Sequence, residues 1–429
     1  MWQTLRKIFS HPELTKKIIF TLSLLIIVRI LAHIPLPGVD VKALKEFFSQ
    51  NELFGLLNMF AGGTIENFSI ALMGVSPYIT SSIIMQLLTM VIPSLEALGE
   101  EGEYGHRKIN QYTRILTVPM AFLQSLGMIS LLERGVQGFQ INIQGITLFE
   151  AVIVVTAGTI LMMWLGELIS ELGIGNGISL IITLGIIAGI PGMIKDTATL
   201  IFTGGVLDTS KIVSLISFIV VILLTIFVIV FFNEGERRIP VVYARQVRGR
   251  RVVGGVETYL PLRPAQAGVI PIIFALSILL FPSSVAQFLK TAHSEKVVNI
   301  AEHLGAFFAN DLYYTLIYFI LTFAFTFFYT SIIFNTQKIA ENLQKHGGYI
   351  PGIRPGLETK NYLSGVTYKI CSLGGFFLGI IAILPFLLTK FTGLTTIAIG
   401  GTGLLIMVSV VLETVDQFRA MLLMRQYEE

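Results

Sequence analysis

The chain has 429 residues, of which 53% are hydrophobic and only 13% are charged, and its net charge is +3. A soluble domain carries about 25% charged residues, so this composition argues against a large soluble enzyme. The single cysteine, Cys371, excludes a disulfide framework, and the six histidines show no spacing typical of a metal site. We therefore expect a membrane protein that holds no metal.

Apolar runs long enough to cross a bilayer, which takes about 20 residues, recur along the whole chain. The first run follows a basic N-terminus, as in a signal peptide. His33, Pro35 and Pro37 come next without a small-residue cleavage site, so we interpret this run as a retained span. The sequence predicts ten transmembrane helices, near 18–34, 71–92, 113–132, 147–170, 178–202, 212–232, 267–289, 312–334, 367–388 and 395–413.

The distribution of basic residues predicts the orientation of these spans. With ten spans, both termini lie on the same side of the membrane. The segments on that side hold 21 lysines and arginines, whereas the opposite segments hold 8. Because an excess of positive charge marks the cytoplasmic side, both termini are predicted to be cytoplasmic.

A short internal repeat relates the beginnings of the second and seventh predicted spans. The stretches ALMGVSPYITSSI, from Ala71, and AQAGVIPIIFALS, from Ala265, share Ala, Gly, Val, Pro and Ile in register. Five spans separate them, so the halves 1–205 and 206–429 cross in opposite directions, and such repeats place a pathway between them. The predicted fold class is an all-α polytopic membrane protein, with ten transmembrane helices as two inverted five-helix halves around a central pore. The match is short, and chance similarity remains open.

The interiors of the predicted spans contain almost no charged side chains. An ion-coupled transporter normally buries such groups at mid-membrane, and no motif of an intramembrane protease or nucleotide-binding loop is present. These observations favour a passive conduit without catalysis or cofactor. A secondary transporter of a small solute, which also uses inverted repeats and broken spans, is the alternative, and a membrane-embedded enzyme is a third interpretation.

Six motifs in chain order carry a family resemblance. They are NMFAGGTIENFSIALMGVSPYITSSIIMQLL, EGEYGHRKINQYTR, GIGNGISLII, GERRIPVVYARQVRGRR, LPLRPAQAGVIPIIFA and GGYIPGIRPG. Together they resemble the SecY family, the main subunit of the bacterial protein-conducting channel. The resemblance implies passage of unfolded secretory polypeptides across the cytoplasmic (inner) membrane, binding of signal sequences, and sideways release of membrane segments into lipid. It also implies the small membrane subunits SecE and SecG, the SecA ATPase and the ribosome as partners.

The stretch from Asn58 to Ile79 begins like a span and is then interrupted by two glycines and several polar residues. By resemblance, residues 54–67 form a plug that re-enters from the outer side and seals the pore. Non-spanning backbone is tolerated at membrane depth only inside protein or beside a water-filled cavity. An ordinary interfacial helix is the alternative. The candidate plug residues are Phe54, Leu57, Phe60, Gly62, Gly63 and Ile65.

The resemblance further implies a pore ring of branched aliphatic side chains drawn from four spans. Such a ring excludes water and ions by dewetting and offers a passing peptide no specific grip. For any one of these residues taken alone, lipid exposure or core packing is the alternative. The candidate ring residues are Val75, Ile79, Ile178, Ile182, Ile273 and Ile406.

A lateral gate is implied where the second and third spans meet the seventh and eighth. Ser82, Gln86 and Thr89 make the second span unusually polar for a helix facing lipid. Interhelical hydrogen bonds of about 0.6–2 kcal/mol each would hold a seam that can still open. Structural packing is the alternative for each of these side chains.

Two predicted cytoplasmic loops, about 234–265 and 336–366, carry candidate docking residues. Seven arginines and no lysine lie between 237 and 263, and arginine suits bidentate contacts to carboxylates and phosphates. The apolar residues before the cluster and the glycine pair after it predict a hairpin-like arm. Positive-inside charge or pairing with anionic lipid is the alternative. The candidate partner-binding residues are Arg245, Arg248, Arg250, Arg251 and, in the proline-stiffened loop HGGYIPGIRPG, Arg354.

Overall fold

The computed structural model shows a mostly helical chain. It describes residues 12–36, 64, 67–135, 146–201, 209–243, 246–248, 251–253, 257–264, 268, 270–289, 295–392 and 400–426. The helices of the first part are α1 (Pro12–Leu31), α2 (Ser76–Val91), α3 (Pro93–Glu100), α4 (Glu103–Gly135), α5 (Ile146–Leu172), α6 (Gly177–Ile201) and α7 (Thr209–Glu234).

The second part of the chain combines helices with short strands. Asn310 and Asn335 each cap a helix, because their side-chain oxygens accept hydrogen bonds from the first N–H groups of the helix that follows. The elements are β1 (Arg237–Tyr243), β2 (Gln246–Arg248), β3 (Arg251–Val253), β4 (Glu257–Leu262), α8 (Ile270–Leu289), α9 (Glu295–Ala309), α10 (Asp311–Ile333), α11 (Thr336–Lys345), β5 (Gly348–Tyr349), α12 (Leu357–Thr392) and α13 (Gly400–Gln426).

Each of the ten predicted spans overlaps one of these helices. Within the described residues, three helical stretches are long and apolar enough to cross a membrane on their own: Thr147–Leu172, Leu312–Lys345 and Leu357–Leu384. The pair α2 and α3 also passes this test, although the chain bends by 100° between them. The fifth predicted span contains the sequence Gly-Ile-Pro-Gly at 189–192, but helix α6 continues through Pro191. These properties are typical of a multi-pass membrane protein.

The bend between α2 and α3 lies at Ile92, directly before Pro93. A residue that precedes proline is driven from helical to extended conformation, and Ile92 has φ −99° and ψ 111°. Its N–H still donates to the carbonyl of Leu88, so α2 keeps its last hydrogen bond. Helix α3 therefore leaves α2 at a steep angle and packs on α4.

One apolar core joins the helices of both predicted halves. In the first half α4 packs against α2 and α5, and in the second half α10 packs against α8 and α12. Helix α8 also contacts α2 and α4, and α13 contacts α6. Buried side chains of α1, α2, α5–α8, α10, α12 and α13 form one hydrophobic cluster.

The prediction of an all-α fold is wrong for the segment between α7 and α8, where short strands form. Strand β1 pairs antiparallel with β4, with Arg237 opposite Leu262, and with β5 at its other edge. In β1, Ile239 and Val241 are buried and alternate with exposed residues. This period of two is the pattern of a half-buried strand, and the buried face packs in one cluster with Leu363 of α12.

A second, smaller pair of strands extends from this sheet. Strands β2 and β3 pair antiparallel, and Arg248 lies opposite Arg251. Both strands lie between β1 and β4 in the chain, so the described residues of 237–262 form two antiparallel pairs, one inside the other in sequence. The predicted turn at Gly254 and Gly255 lies outside the described residues.

Candidate functional site

Branched aliphatic side chains at predicted ring positions are buried in the apolar core. Val75 directly precedes α2, Ile79 lies one turn later, and Ile182, Ile273 and Ile406 lie on α6, α8 and α13. Each is at most 9% exposed and belongs to the same hydrophobic cluster. The fold therefore buries five of the six predicted ring residues together, from helices of both predicted halves.

The sixth predicted ring residue, Ile178, lies beside this group. It is partly buried and packs against the cluster. Its Cδ1 atom lies so close to Gly166 of α5 that a Cβ at Gly166 would overlap it. Ile178 therefore packs at the contact between α5 and α6 as well as against the cluster.

The cluster extends one helical turn beyond the residues that the sequence predicted. Ile83, Ile186 and Val410 each follow a predicted ring residue by four positions, and each is buried in the same cluster. Residues four apart share a helix face, so this spacing was a signal that could have extended the prediction. Leu24 and Val28 of α1 also belong to the cluster, and no motif pointed to them.

A buried, non-helical segment leads into α2. Two backbone hydrogen bonds, of 2.9 and 3.0 Å, join residues 68–70 to residues 34–36. Thr64 and Phe68 have no exposed surface, and Thr64 Oγ1 donates to the carbonyl of Leu72 at 3.0 Å. Phe68 has φ 42°, a conformation that large side chains rarely adopt. The polar groups of this irregular backbone are thus satisfied inside the protein, as membrane depth requires.

Most of the predicted plug, 54–67, lies outside the described residues. This applies to all six candidate plug residues. At the end of the plug, Asn67 Nδ2 donates to the carbonyl of Ala32, just after α1, at 3.4 Å. The C-terminal end of the predicted plug is therefore tied to the end of α1. The six residues concerned are Phe54, Leu57, Phe60, Gly62, Gly63 and Ile65.

The two copies of the internal repeat share a backbone conformation. The matched residues Gly74 and Gly268 have φ 51° and 59°, values that favour glycine because it has no Cβ. Each glycine precedes its helix by two residues, and each helix carries proline at its second position, Pro77 in α2 and Pro271 in α8. The same glycine and proline positions therefore start both helices.

Ser82, Gln86 and Thr89 lie on α2, but the structure shows their hydrogen bonds within that helix. Gln86 Nε2 donates to Ser82 Oγ at 3.5 Å, and Thr89 Oγ1 donates to the carbonyl of Gln86 at 2.7 Å. An interhelical bond of α2 comes instead from Gln124 Nε2 of α4, which donates to Thr80 Oγ1 at 3.3 Å. In the described part of the chain, the bonds of these three side chains thus stay within α2, and apolar side chains form the contact between α2 and α8.

An ion pair joins the short helices that follow α2 and α10. Lys338 Nζ of α11 lies 3.0 Å from Glu100 Oε1 at the end of α3. The two side chains are 55% and 58% exposed. Because α3 and α11 directly continue α2 and α10, the pair connects the ends of two helices that belong to different predicted halves.

The motif from Gly173 to Gly177 joins the predicted halves at another place. The N–H of Gly175, whose φ is 85°, donates to Gln417 Oε1 of α13 at 2.8 Å. Gly177 lies so close to the carbonyl of Gly166 that a Cβ there would overlap it. The glycines therefore permit both the turn and the close approach of α5 and α6, and the loop they form is anchored on α13.

Arg354 lies in the loop between β5 and α12 and is exposed. Thr359 Oγ1 donates to its carbonyl at 2.9 Å, and the neighbouring Ile353 packs against the cluster beneath the strands. The loop thus fixes the backbone of an exposed arginine. The role of Arg354 in partner binding stays a prediction.

Two of the other predicted partner-binding arginines lie on the paired strands β2 and β3. Arg248 and Arg251 are opposite each other in this pair. Arg245 and Arg250 lie outside the described residues.

These features define a mostly helical membrane protein whose helices share one apolar cluster. Within the described ranges, no group of His, Cys, Asp and Glu could hold a metal ion. A family model described as SecY matches residues 69–415. The chain belongs to the SecY family, as its motifs predicted, and it is a multi-pass membrane protein.

Relatives of similar length support this membership. The protein translocase subunit SecY of Halalkalibacterium halodurans is 43% identical and covers 100% of this chain and 99% of its own length. The subunit of the same name from Streptomyces galbus is also 43% identical, over 98% of this chain and 97% of its own.

Solved structures share the fold at low identity. The structure of a protein-conducting channel matches with a TM-score of 0.64 and 18% identity, over 94% of this chain and 91% of that chain. Sec61 in the canine ribosome-channel complex matches with a TM-score of 0.63 and 18% identity, over the same shares.

Proposed function

We propose that the chain forms a channel that passes unfolded polypeptides across a membrane. The main observation in support of this function is the aliphatic cluster, to which helices of both proposed halves contribute buried branched side chains. In the closed state such a cluster excludes water and ions, and it offers a passing chain no specific contact. Relatives named protein translocase subunit SecY favour this function over transport of a small solute, and they favour a channel over an enzyme.

Photocrosslinking of a stalled secretory polypeptide tests this function. Crosslinkers at Ile79 and Ile273, which are buried in the cluster, are expected to capture the polypeptide. Crosslinkers at Leu123 and Leu223, each 62% exposed on the outside of the helices, serve as matched controls and are expected to stay silent. Capture at all four positions, or at the controls alone, would contradict passage through the cluster.

The proposed topology has ten transmembrane helices, with both termini on the cytoplasmic side of the cytoplasmic membrane. Residues 1–205 and 206–429 form two inverted halves around the pore. The overlap of every predicted span with a helix supports this arrangement, as do the matched conformations of Gly74 and Gly268.

Accessibility of single cysteines tests the topology, and the chain suits this method because Cys371 is its only cysteine. In a Cys371→Ser background, Glu100→Cys is expected to react with a membrane-impermeant thiol reagent only from the cytoplasmic side. Lys296→Cys is expected to react only from the outside. Reaction of both from one side would contradict the topology.

The proposed plug occupies residues 54–67 and closes the pore from the outer side. Support comes from the segment that follows it, because buried, hydrogen-bonded residues 68–70 and the Asn67 bond to Ala32 fix its C-terminal end. A segment fixed at one end can move as a unit when a polypeptide enters. The proposed sealing residues are the six candidates named above.

The proposed lateral gate separates α2 and α4 from α8 and α10. A signal sequence, an apolar helix of about 7–15 residues, would enter between them and leave into lipid. Apolar contacts between α2 and α8 support this role, because an apolar helix can replace them without leaving polar groups unpaired. Gln86 Oε1 is buried without a hydrogen-bond partner among the described residues, so Gln86 has capacity for a new partner.

The proposed docking surface for cytosolic partners consists of the β2–β3 hairpin and the loop that carries Arg354. Solved relatives in complex with ribosomes, from dog and yeast, support a ribosome as one partner. SecA, SecE and SecG follow from the family resemblance. Arginines suit both phosphates of RNA and carboxylates of a motor protein.

A further inference from the structure

Helix α9, Glu295–Ala309, has an exposed apolar strip although it belongs to none of the predicted spans. Ile300 and Phe307 are 59% and 43% exposed. They are seven residues apart, about two helical turns, so they lie on the same face. With 15 residues, α9 is too short to cross a bilayer, which takes about 20.

The other described side chains of α9 divide into a protein-facing side and a polar side. Ala301 is fully buried, and α9 contacts both α8 and α10. Lys296 and His303, also seven residues apart, are exposed beside the apolar strip, and Glu302 is exposed farther round the helix. The strip therefore lies between the packed side and the polar side, which is the arrangement of a helix in a membrane interface.

The end of α9 is joined to the apolar surface of α10. The ring of Phe307 stacks on that of Tyr313, with centroids 5.0 Å apart and planes 14° from parallel. On α10 itself, Leu312 and Leu316 are 63% and 54% exposed, on a stretch apolar enough to cross a membrane. The apolar surface thus continues from a helix too short to span onto one that can span.

We propose that α9 lies in the bilayer interface and that phospholipid covers its exposed face. Ile300 and Phe307 insert among the acyl chains, while Lys296 and His303 contact headgroup phosphates. Tyr313, which stacks on Phe307, favours this depth because tyrosine combines an apolar ring with a polar hydroxyl. In this position α9 fixes the depth at which α8 and α10 leave the bilayer. The inference rests on the proposed topology for α8 and α10 and does not require that the chain conducts polypeptides.

Depth-dependent fluorescence quenching by brominated phosphatidylcholine tests this position. The full chain, with Trp2 and Trp164 replaced by Phe, is reconstituted in vesicles with Ile300→Trp as reporter. Interfacial helices bury their apolar face about 5–10 Å below the headgroups, so bromine near the headgroup end of the acyl chain should quench more strongly than bromine near its tip. Glu302→Trp, on the polar side of the same helix, is the matched control and should be quenched weakly.

A third reporter distinguishes failure of this inference from failure of the topology. Leu316→Trp, on the exposed face of α10, should be quenched by bromine deep in the acyl chain. If Leu316→Trp is quenched and Ile300→Trp is not, or if Ile300→Trp and Glu302→Trp are quenched equally, the interfacial position of α9 is wrong. Absence of quenching at both Leu316→Trp and Ile300→Trp would contradict the crossing of α10. It would overturn both the proposed topology and the interfacial position of α9.

Discussion

Reversing the charge of Lys338 is expected to loosen the proposed lateral gate by a small amount that the structure allows us to bound. The pair Lys338–Glu100 connects α11 and α3, which continue the gate helices α10 and α2. At 3.0 Å, two unit charges attract by about 1.4 kcal/mol in bulk water. Both side chains are more than half exposed, and exposed pairs retain about 0.2–1 kcal/mol in measurements.

The interaction energy of this pair determines how much its loss changes the ratio of open to closed gates. Since 1.4 kcal/mol corresponds to a tenfold change, loss of the pair should raise the ratio of open to closed gates by about 1.4-fold to 5-fold. Ion conductance of the resting channel in planar bilayers measures this ratio. Lys338→Glu and Glu100→Lys should each increase the conductance, and the double exchange should restore it. The effect should shrink as the Debye length falls from about 10 Å at 0.1 M salt to 3 Å at 1 M.

A matched pair within one helix provides the control. Arg107 and Glu103 of α4 lie 2.6 Å apart and are still more exposed, at 76% and 82%, but they do not connect two helices. Arg107→Glu should therefore leave the conductance unchanged. Equal effects of Arg107→Glu and Lys338→Glu, or failure of the double exchange to restore the closed state, would refute the role of the pair.

Three further outcomes are expected. Ile182→Gly removes a side chain that is 1% exposed in the aliphatic cluster and should increase ion leakage; unchanged conductance would remove Ile182 from the seal. Arg354→Glu should abolish motor-driven transport while membrane insertion of the chain persists. Lys345→Glu, on the neighbouring helix, should leave transport intact. Transport at the wild-type rate with Arg354→Glu would exclude the docking role. The Cβ added by Gly268→Ala would meet no atom within 4 Å. The variant should therefore lose stability through backbone strain alone, by about 1–2 kcal/mol, and its denaturation midpoint should fall. Gly127→Ala, equally open but within a helix, should instead stabilise by up to about 1 kcal/mol, and equal midpoints for the two variants would contradict the strain.

The repeat and the motifs predicted buried positions because both depend on local spacing. Ile79, Ile182 and Ile273 could be placed by helix periodicity and family pattern, and each is buried in one cluster. The strands were harder to predict. Ile239 and Val241 show the alternation of a half-buried strand, but the partner that buries them, Leu363, lies more than a hundred residues away in the sequence.

The hydrogen bonds of the gate helix could not be predicted from composition. Polar side chains on α2 indicated a seam held by interhelical bonds, yet Gln86 and Thr89 bond within α2. A serine, threonine or glutamine in an apolar helix can bond to its own preceding turn as readily as to a neighbour. Only the rotation of α2 against α4 and α8 decides between these partners, and that rotation depends on tertiary packing.

The proposed halves contact each other at α6–α13 and at α2–α8, and different interactions stabilise the two contacts. At the α6–α13 contact, Gly175 donates a backbone hydrogen bond to Gln417 in a partly buried position, and breaking such a bond leaves polar groups unpaired at a cost of about 1–3 kcal/mol each. At the α2–α8 contact, apolar side chains meet, and an entering apolar segment can replace them without that cost. The halves should therefore separate at α2 and α8 while they stay joined at α6 and α13, so a polypeptide in the pore would face lipid on one side only.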